Sequence, residues 1–309
     1  MKYRRLGSTE LPVSVVGIGT WQFGGEWGRD YDVPEVRDIL DRARELGINL
    51  LDTAECYGDH LSERLIGEAI EGHREAWFVA TKFGHRYLGA FERDQLWSAS
   101  EVLKQLDASL EALQTDYVDL YQFHSGTREA FDDPELWPAL AERVKAGRIR
   151  HLGISISKND DVHQTSHARD VGAEAIQVVY NRLDRTPEHD VLPACQDHDL
   201  GVLARVPLAS GYLSGKYRPD ATFEVASDVR SRHDRAEVRR KLEEAERIRR
   251  EEVPEGVDMA SWALAWCLQH PAVTCVIPGC KDVEQVEANA RAAELDMVRG
   301  DHPQAVTVA

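Results

Sequence analysis

Ile48-Asn49-Leu50-Leu51-Asp52-Thr53 is a short apolar run that ends on a carboxylate and opens into Ala54-Glu55-Cys56-Tyr57-Gly58. Seven other runs of the same kind flank it: VSVVGIG (13–19), WFVATK (77–82), YVDLYQFH (117–124), RHLGISI (150–156), AIQVVY (175–180), GVLAR (201–205) and VTCVIPG (273–279). Helical periodicity fills the gaps. Val36, Ile39, Leu40 and Ala43 repeat at spacings of three and four, with Pro34 at the start and Gly47 after the end; Ala99, Val102, Leu103, Leu106 and Leu110 do the same. Strand alternating with helix is the pattern of a parallel sheet built from βα units. Eight such units can close as a barrel or spread as a doubly wound sheet, and the strand ends decide between the two. In a (β/α)8 barrel chemistry gathers at the C-terminal ends of the strands, and Asp52, Lys82, His124, Ser155, Asn181 and Arg205 stand there in turn. A Rossmann sheet calls for G-x-G-x-x-G after its first strand; Gly17-Ile18-Gly19-Thr20 lacks the third glycine. The expectation is an α/β (β/α)8 TIM barrel with an N-terminal hairpin around Gly7.

The 309 residues, 42% of them hydrophobic, suit one large core, so residues 1–309 are expected to form a single barrel domain. The polar stretch from Tyr217 to Arg240 and the charged run from Ala236 to Arg250 form an insertion after strand seven that could fold over a ligand as a lid. The N-terminus shows no apolar segment of signal-peptide length, and no run approaches the roughly 18 apolar residues of a membrane helix; a cytoplasmic protein without membrane contact is expected. A formal charge of −17 argues against nucleic-acid binding, which needs a basic surface. The acidic balance suits a high-salt cytoplasm, although a GC-rich genome would also replace lysine by arginine. Cys56, Cys195, Cys267, Cys275 and Cys280 show no CxxC spacing, so neither a disulfide framework nor a zinc site is suggested.

Asp52, Tyr57, Lys82 and His124 place a carboxylate, a phenol, an ammonium and an imidazole around one barrel mouth. A carbonyl accepts hydride readily only if its oxygen is protonated as negative charge develops. Tyrosine, with a pKa of about 10, is a weak acid for this; a nearby ammonium favours the ionised phenol and should lower its pKa, while Asp52 holds Lys82 charged and His124 orients the carbonyl oxygen. Asp52, Glu55, His60 and His124 could be drawn as a metal site, but His60 lies in a loop beyond Tyr57 and Lys82 would repel a cation, so no metal is expected.

DTAECYG (52–58), TKFG (81–84), LYQFH (120–124), GIS (153–155) and IPGCKDVEQVEAN (277–289) recur in the order and spacing of aldo-keto reductase motifs, and the chain from about Arg5 to Asn289 resembles that family. The resemblance implies Tyr57 as the general acid with Asp52, Lys82 and His124 as its partners, a small-molecule aldehyde, ketone or alcohol as substrate, and a monomer. It also implies a nicotinamide cofactor. Pro207 to Lys216 offers small residues and backbone N–H groups to a pyrophosphate, through Leu208, Ser210 and Gly211, with Lys216 adding charge. The segment from Gly279 to Asn289 resembles the family's adenosine-end motif: Lys281 falls where a cation meets the 2′-phosphate of NADP, and Gln285 and Asn289 lie one turn apart toward adenine. NADP(H) is therefore favoured, with NAD(H) also open. Ser155 and Gln177 match positions that bond the nicotinamide carboxamide, and the implied cofactor set includes Thr20, Trp21 and Asp52. Arg205 stands where many members carry an aromatic that stacks on the nicotinamide ring. Trp21, Phe23, Trp27 and Tyr87 are candidate substrate walls. The rival expectation is a non-catalytic, cofactor-sensing subunit resembling potassium-channel β-subunits.

Overall fold

The computed structural model describes residues 1–308. Eight strands form one sheet: β1 Ile18–Gly19, β2 Leu50–Asp52, β3 Phe78–Phe83, β4 Val118–His124, β5 Ile149–Ser155, β6 Ala173–Val179, β7 Gly201–Arg205 and β8 Cys275–Ile277. Neighbours in sequence are neighbours in space, and every pair is parallel. Between the outer two strands, bridges Val16–Val276 and Gly19–Gly279 and the bond from Gly17 N–H to Val276 O at 2.8 Å close the sheet into a barrel.

Helices α1 Val33–Glu45, α2 Leu61–Ala69, α3 Ala99–Ala112, α4 Leu136–Lys145, α5 Val162–Ser166 and α6 Val191–Asp197 follow the first six strands. Helix α1 begins with a reciprocal capping box between Asp32 and Glu35. Its Val36, Ile39, Leu40 and Ala43 are buried against the strands.

The barrel interior is layered because inward-facing residues alternate along each strand. Leu50, Ala80, Leu120, Ala175, Leu203 and Cys275 form the lower apolar layer, and Leu6 and Val13 of the N-terminal hairpin close it from below. Two residues further along the same strands stand Asp52, Lys82, Gln122, Gln177 and Arg205. The apolar floor therefore carries a polar ring.

The first expected strand, 13–19, is divided. Pro12–Ser14 pairs with Tyr3–Arg5 in the hairpin, and only Ile18–Gly19 joins the barrel. Val13 is needed under the barrel, so the chain must leave the hairpin before it can enter the sheet. A second hairpin, His85–Gly89 with Glu92–Gln95, follows β3 and had no signal in the sequence.

The insertion after β7 contains α7, Arg235–Glu251, and leads to α8, Met259–Leu268; α9, Val283–Ala290, follows β8. Helix α7 does not cover the mouth. Its Val238, Leu242, Ala245 and Ile248 pack with Tyr212, Leu213, Met259 and Trp262 in a separate apolar cluster beside the barrel. The part that reaches the mouth is the preceding segment: Asp228 bridges to Trp27, Gly28 N–H bonds Ser227 O at 3.1 Å and Val229 N–H bonds Glu26 O at 3.1 Å.

Candidate active site at the barrel mouth

Lys82 rises from β3 and is completely buried, which requires all three ammonium donors to find acceptors. They do: Asp52 Oδ2 at 2.9 Å, Thr53 O at 2.6 Å and Tyr57 Oη at 3.2 Å. Asp52 is held from its other side by Gln177 Nε2 at 2.7 Å and Gln122 Nε2 at 3.2 Å. Burial opposes the charge on Lys82, but Asp52 and Tyr57 outweigh it and hold the ammonium pKa above its usual value.

Tyr57 sits in a tight turn after β2. A Cβ on Gly24 would meet the Tyr57 carbonyl carbon at 2.7 Å, and Gly58, at φ +67°, lies so close that its Cβ would meet Gly24 O at 2.6 Å. Two glycines thus let the loops after β1 and β2 touch, and this sets the height of the phenol. Trp21 stacks near it at 6.1 Å between centroids, and His124 stands edge-on at 6.3 Å.

The expected lowering of the Tyr57 pKa is corrected by burial. Lys82 does pull the pKa down, but desolvation raises it more and Asp52 adds to the rise, leaving the phenol at about 12. Tyr57 is therefore a fully protonated donor at neutral pH. Burial, with Lys82, His85, Arg205 and Arg93 adding repulsion, drives the His124 pKa well below its usual value. Its imidazole is neutral and can donate one hydrogen bond.

A cavity of about 380 Å³ opens over these groups. Of the sequence-derived candidates, its wall includes Thr20, Trp21, Trp27, Asp52, Tyr57, His124, Gln177, Arg205, Leu208, Ser210, Gly211, Lys216, Gly279, Lys281 and Gln285. The others lie outside the wall. Lys82 is under Tyr57, and Ser155 is buried with its hydroxyl 3.4 Å from Gln177 Oε1. Asn289 is buried with its amide 3.5 Å from Gly279 O, supporting the loop. Tyr87 does not line the cavity, although it stands opposite Arg93 in the hairpin; His85 and Arg93 are the hairpin residues that reach it. Phe23 is buried against Tyr31. Asn181 shapes a turn, accepting from Leu183 and Asp184 N–H and donating to Val206 O.

Gln122, His85, Arg93, Tyr217 and Arg230 line or support the cavity without having been named singly in the sequence, although Tyr217 and Arg230 lie in the 217–240 stretch expected to fold over a ligand. Gln122 had a signal, since it precedes His124 by two and so shares its inward face. His85, Arg93, Tyr217 and Arg230 come from loops without periodicity. Arg93 pairs with buried Glu26 at 2.5 Å. Arg230 is clamped by Asp228 at 2.9 and 2.5 Å and donates to Tyr217 Oη at 2.8 Å.

Among the described residues, the His, Cys, Asp and Glu side chains close enough to share a metal are Cys56, His85 and His124, a different set from Asp52, Glu55, His60 and His124. Burial pushes the Cys56 thiol up to about 12, and Lys82, Arg205 and Arg93 all act on His124 as cations. That environment repels a cation, and we assign the cluster a packing role: His85 stacks on His124 at 4.7 Å.

At the far end of the cavity, Lys281 donates to Trp27 O at 3.2 Å, and Arg230, Arg29 and Lys216 lie close enough to lower its pKa beyond the effect of burial. Neither Lys281 nor Lys216 has an ion-pair partner among the described residues. Lys281 and Lys216 are thus the cations at this end of the cavity free to hold the phosphates of a nicotinamide dinucleotide, since Arg230 and Arg29 are paired with Asp228 and Glu35.

A parallel barrel with a buried carboxylate, ammonium and phenol and a neutral imidazole at the C-terminal mouth defines a class of carbonyl-handling oxidoreductase site. The comparisons give that class its family. The model of the Aldo/keto reductase family matches residues 15–305. The uncharacterized oxidoreductase YqkF of Bacillus subtilis (strain 168) is 34% identical, over 95% of this chain and 91% of its own. The NADH-specific methylglyoxal reductase of Escherichia coli (strain K12) is 29% identical, over 97% and 96%. Among solved structures, the holo form of aldo-keto reductase AKR11C1 from Bacillus halodurans superposes with a TM-score of 0.78 at 33% identity, over 96% of this chain and 91% of that one. The chain belongs to the aldo/keto reductase family.

Proposed function

We propose that this protein reduces an aldehyde or ketone to the alcohol with NADP(H), or runs the reverse reaction, with Tyr57 as the proton donor and acceptor. The observation that carries the proposal is the 3.2 Å contact between Tyr57 Oη and a Lys82 ammonium whose other donors are committed to Asp52 and Thr53. The bound nicotinamide supplies hydride. The protein's part is to hold the carbonyl oxygen between the Tyr57 hydroxyl and the neutral His124 imidazole. As negative charge grows on that oxygen, Tyr57 releases its proton toward it, and Lys82, 3.2 Å away, stabilises the phenolate left behind. Trp21 and Trp27 give the pocket an apolar wall near the phenol. Lys281, with Lys216 and Arg230, is the proposed 2′-phosphate and pyrophosphate end, which favours NADP(H) over NAD(H).

NADPH absorbance followed with a panel of aldehydes and ketones tests the reading. Tyr57→Phe should lower the rate on the order of 100-fold or more; equal rates would remove Tyr57 from the mechanism. Lys281→Gln should weaken NADPH and leave NADH affinity unchanged. Nucleotide binding without oxidation by any carbonyl would favour the cofactor-sensing alternative.

A further inference from the structure

Among the described residues, Arg205 is the one wall cation at the reacting end without a counter-charge. It ends β7, two residues beyond Leu203 of the apolar floor. Its guanidinium gives one hydrogen bond, Nη2 to Ile156 O at 3.2 Å, and its buried Nε has no partner. No carboxylate lies within ion-pair distance of it among the described residues. Around it the other charges cancel: Lys82 against Asp52 at 2.9 Å and Arg93 against Glu26 at 2.5 Å. The reacting end thus carries one positive charge without a carboxylate in ion-pair contact, on a side chain that is only partly exposed at the cavity wall. That charge acts on both Tyr57 and His124, the two groups between which the carbonyl oxygen must sit.

A hydride donor has to be in contact with the carbonyl carbon, so a bound nicotinamide ring would lie in the same field. Reduction moves one hydride, two electrons and a hydrogen nucleus, from the ring to the carbonyl carbon, while the Tyr57 proton goes to oxygen. The ring changes from neutral to a single positive charge. Resting on the cofactor reading above, we propose that Arg205 discriminates between the redox states of the nicotinamide, binding the reduced form and expelling the oxidised one. Like charges a few ångströms apart at a partly buried position repel strongly enough for a factor of about ten in relative affinity. The functional consequence is a site that captures NADPH in the presence of NADP+ and sheds its oxidised product.

Equilibrium quenching of tryptophan fluorescence, without any carbonyl present, measures the Kd of NADPH and of NADP+ separately. Wild type should bind NADPH about tenfold tighter or more. Arg205→Met and Arg205→Gln should lose most of that ratio, chiefly by tighter NADP+ binding, and Arg205→Lys should keep it. The two neutral variants differ in polarity, so a folding defect in one leaves the other to decide. If Arg205 only holds the Ile156 backbone, both affinities will weaken together and the ratio will stay, which overturns the inference while the cofactor reading survives. Wild type that binds neither nucleotide overturns both.

Discussion

Glu55 lies between the reacting groups and the hairpin after β3. Its carboxylate accepts the His85 backbone N–H at 2.9 Å through Oε1, and Oε2 is buried without a partner. Burial pushes its pKa from 4.5 to about 8, although the His85 bond pulls the other way. A raised carboxyl pKa means that the folded protein keeps a proton the unfolded chain has released, so stability falls as pH rises from 4.5 to about 8. Glu55→Gln retains the acceptor and removes that loss. The variant's gain in melting temperature over wild type should grow between these limits in thermal scans across pH; a constant difference would refute it. His85 has the opposite sign. Burial and then Arg93 lower its pKa to about 4, so its contribution to stability is lost as pH falls from 6.5 toward that value. His85→Phe should flatten the acid limb of the same scans.

At the scale of elements, the segment that reaches the mouth depends on what surrounds it. Helix α7 is charged on its outer face, and Leu242 is buried with Tyr212 and Leu213 beneath the turn that carries Ser210 and Gly211. Leu242→Ala should cost about 2–5 kcal/mol in urea unfolding and weaken nucleotide binding through that turn. Unchanged nucleotide affinity with the stability loss present would separate α7 from the site. Asp228 fixes Arg230 and pairs across to Trp27. Asp228→Asn leaves Arg230 buried beside a neutral amide and should lower stability by roughly 3 kcal/mol, read by the same denaturation.

At the scale of the whole molecule, a net charge of −17 spreads repulsion over one compact surface. Salt screens charges more than about 8–10 Å apart at ordinary ionic strength. Many of the ion pairs are exposed and individually contribute little, so relief of the net repulsion should dominate and potassium chloride should raise the melting temperature. A flat or falling curve would remove the argument for a salt-adapted surface.

The barrel and three members of its polar ring, Asp52, Lys82 and Arg205, were legible in residue order because both are periodic, whereas Gln122 on the same inward face was not singled out. Alternation places Asp52 above Leu50, Lys82 above Ala80 and Arg205 above Leu203 whatever the rest of the chain does, since neighbouring Cβ atoms point to opposite faces of a strand. The division of 13–19 between hairpin and barrel was not legible, because it answers to the open floor of the barrel, formed by strands as distant in the chain as the one carrying Cys275. His85, Arg93 and Arg230 arrive on loops whose positions depend on partners such as Glu26 and Asp228, and no local pattern announces those pairings. The protonation of Tyr57 belongs to the same group. Lys82 beside the phenol could be read from strand ends, but the sign of the net shift depends on burial, and burial exists only when every element has closed around the site.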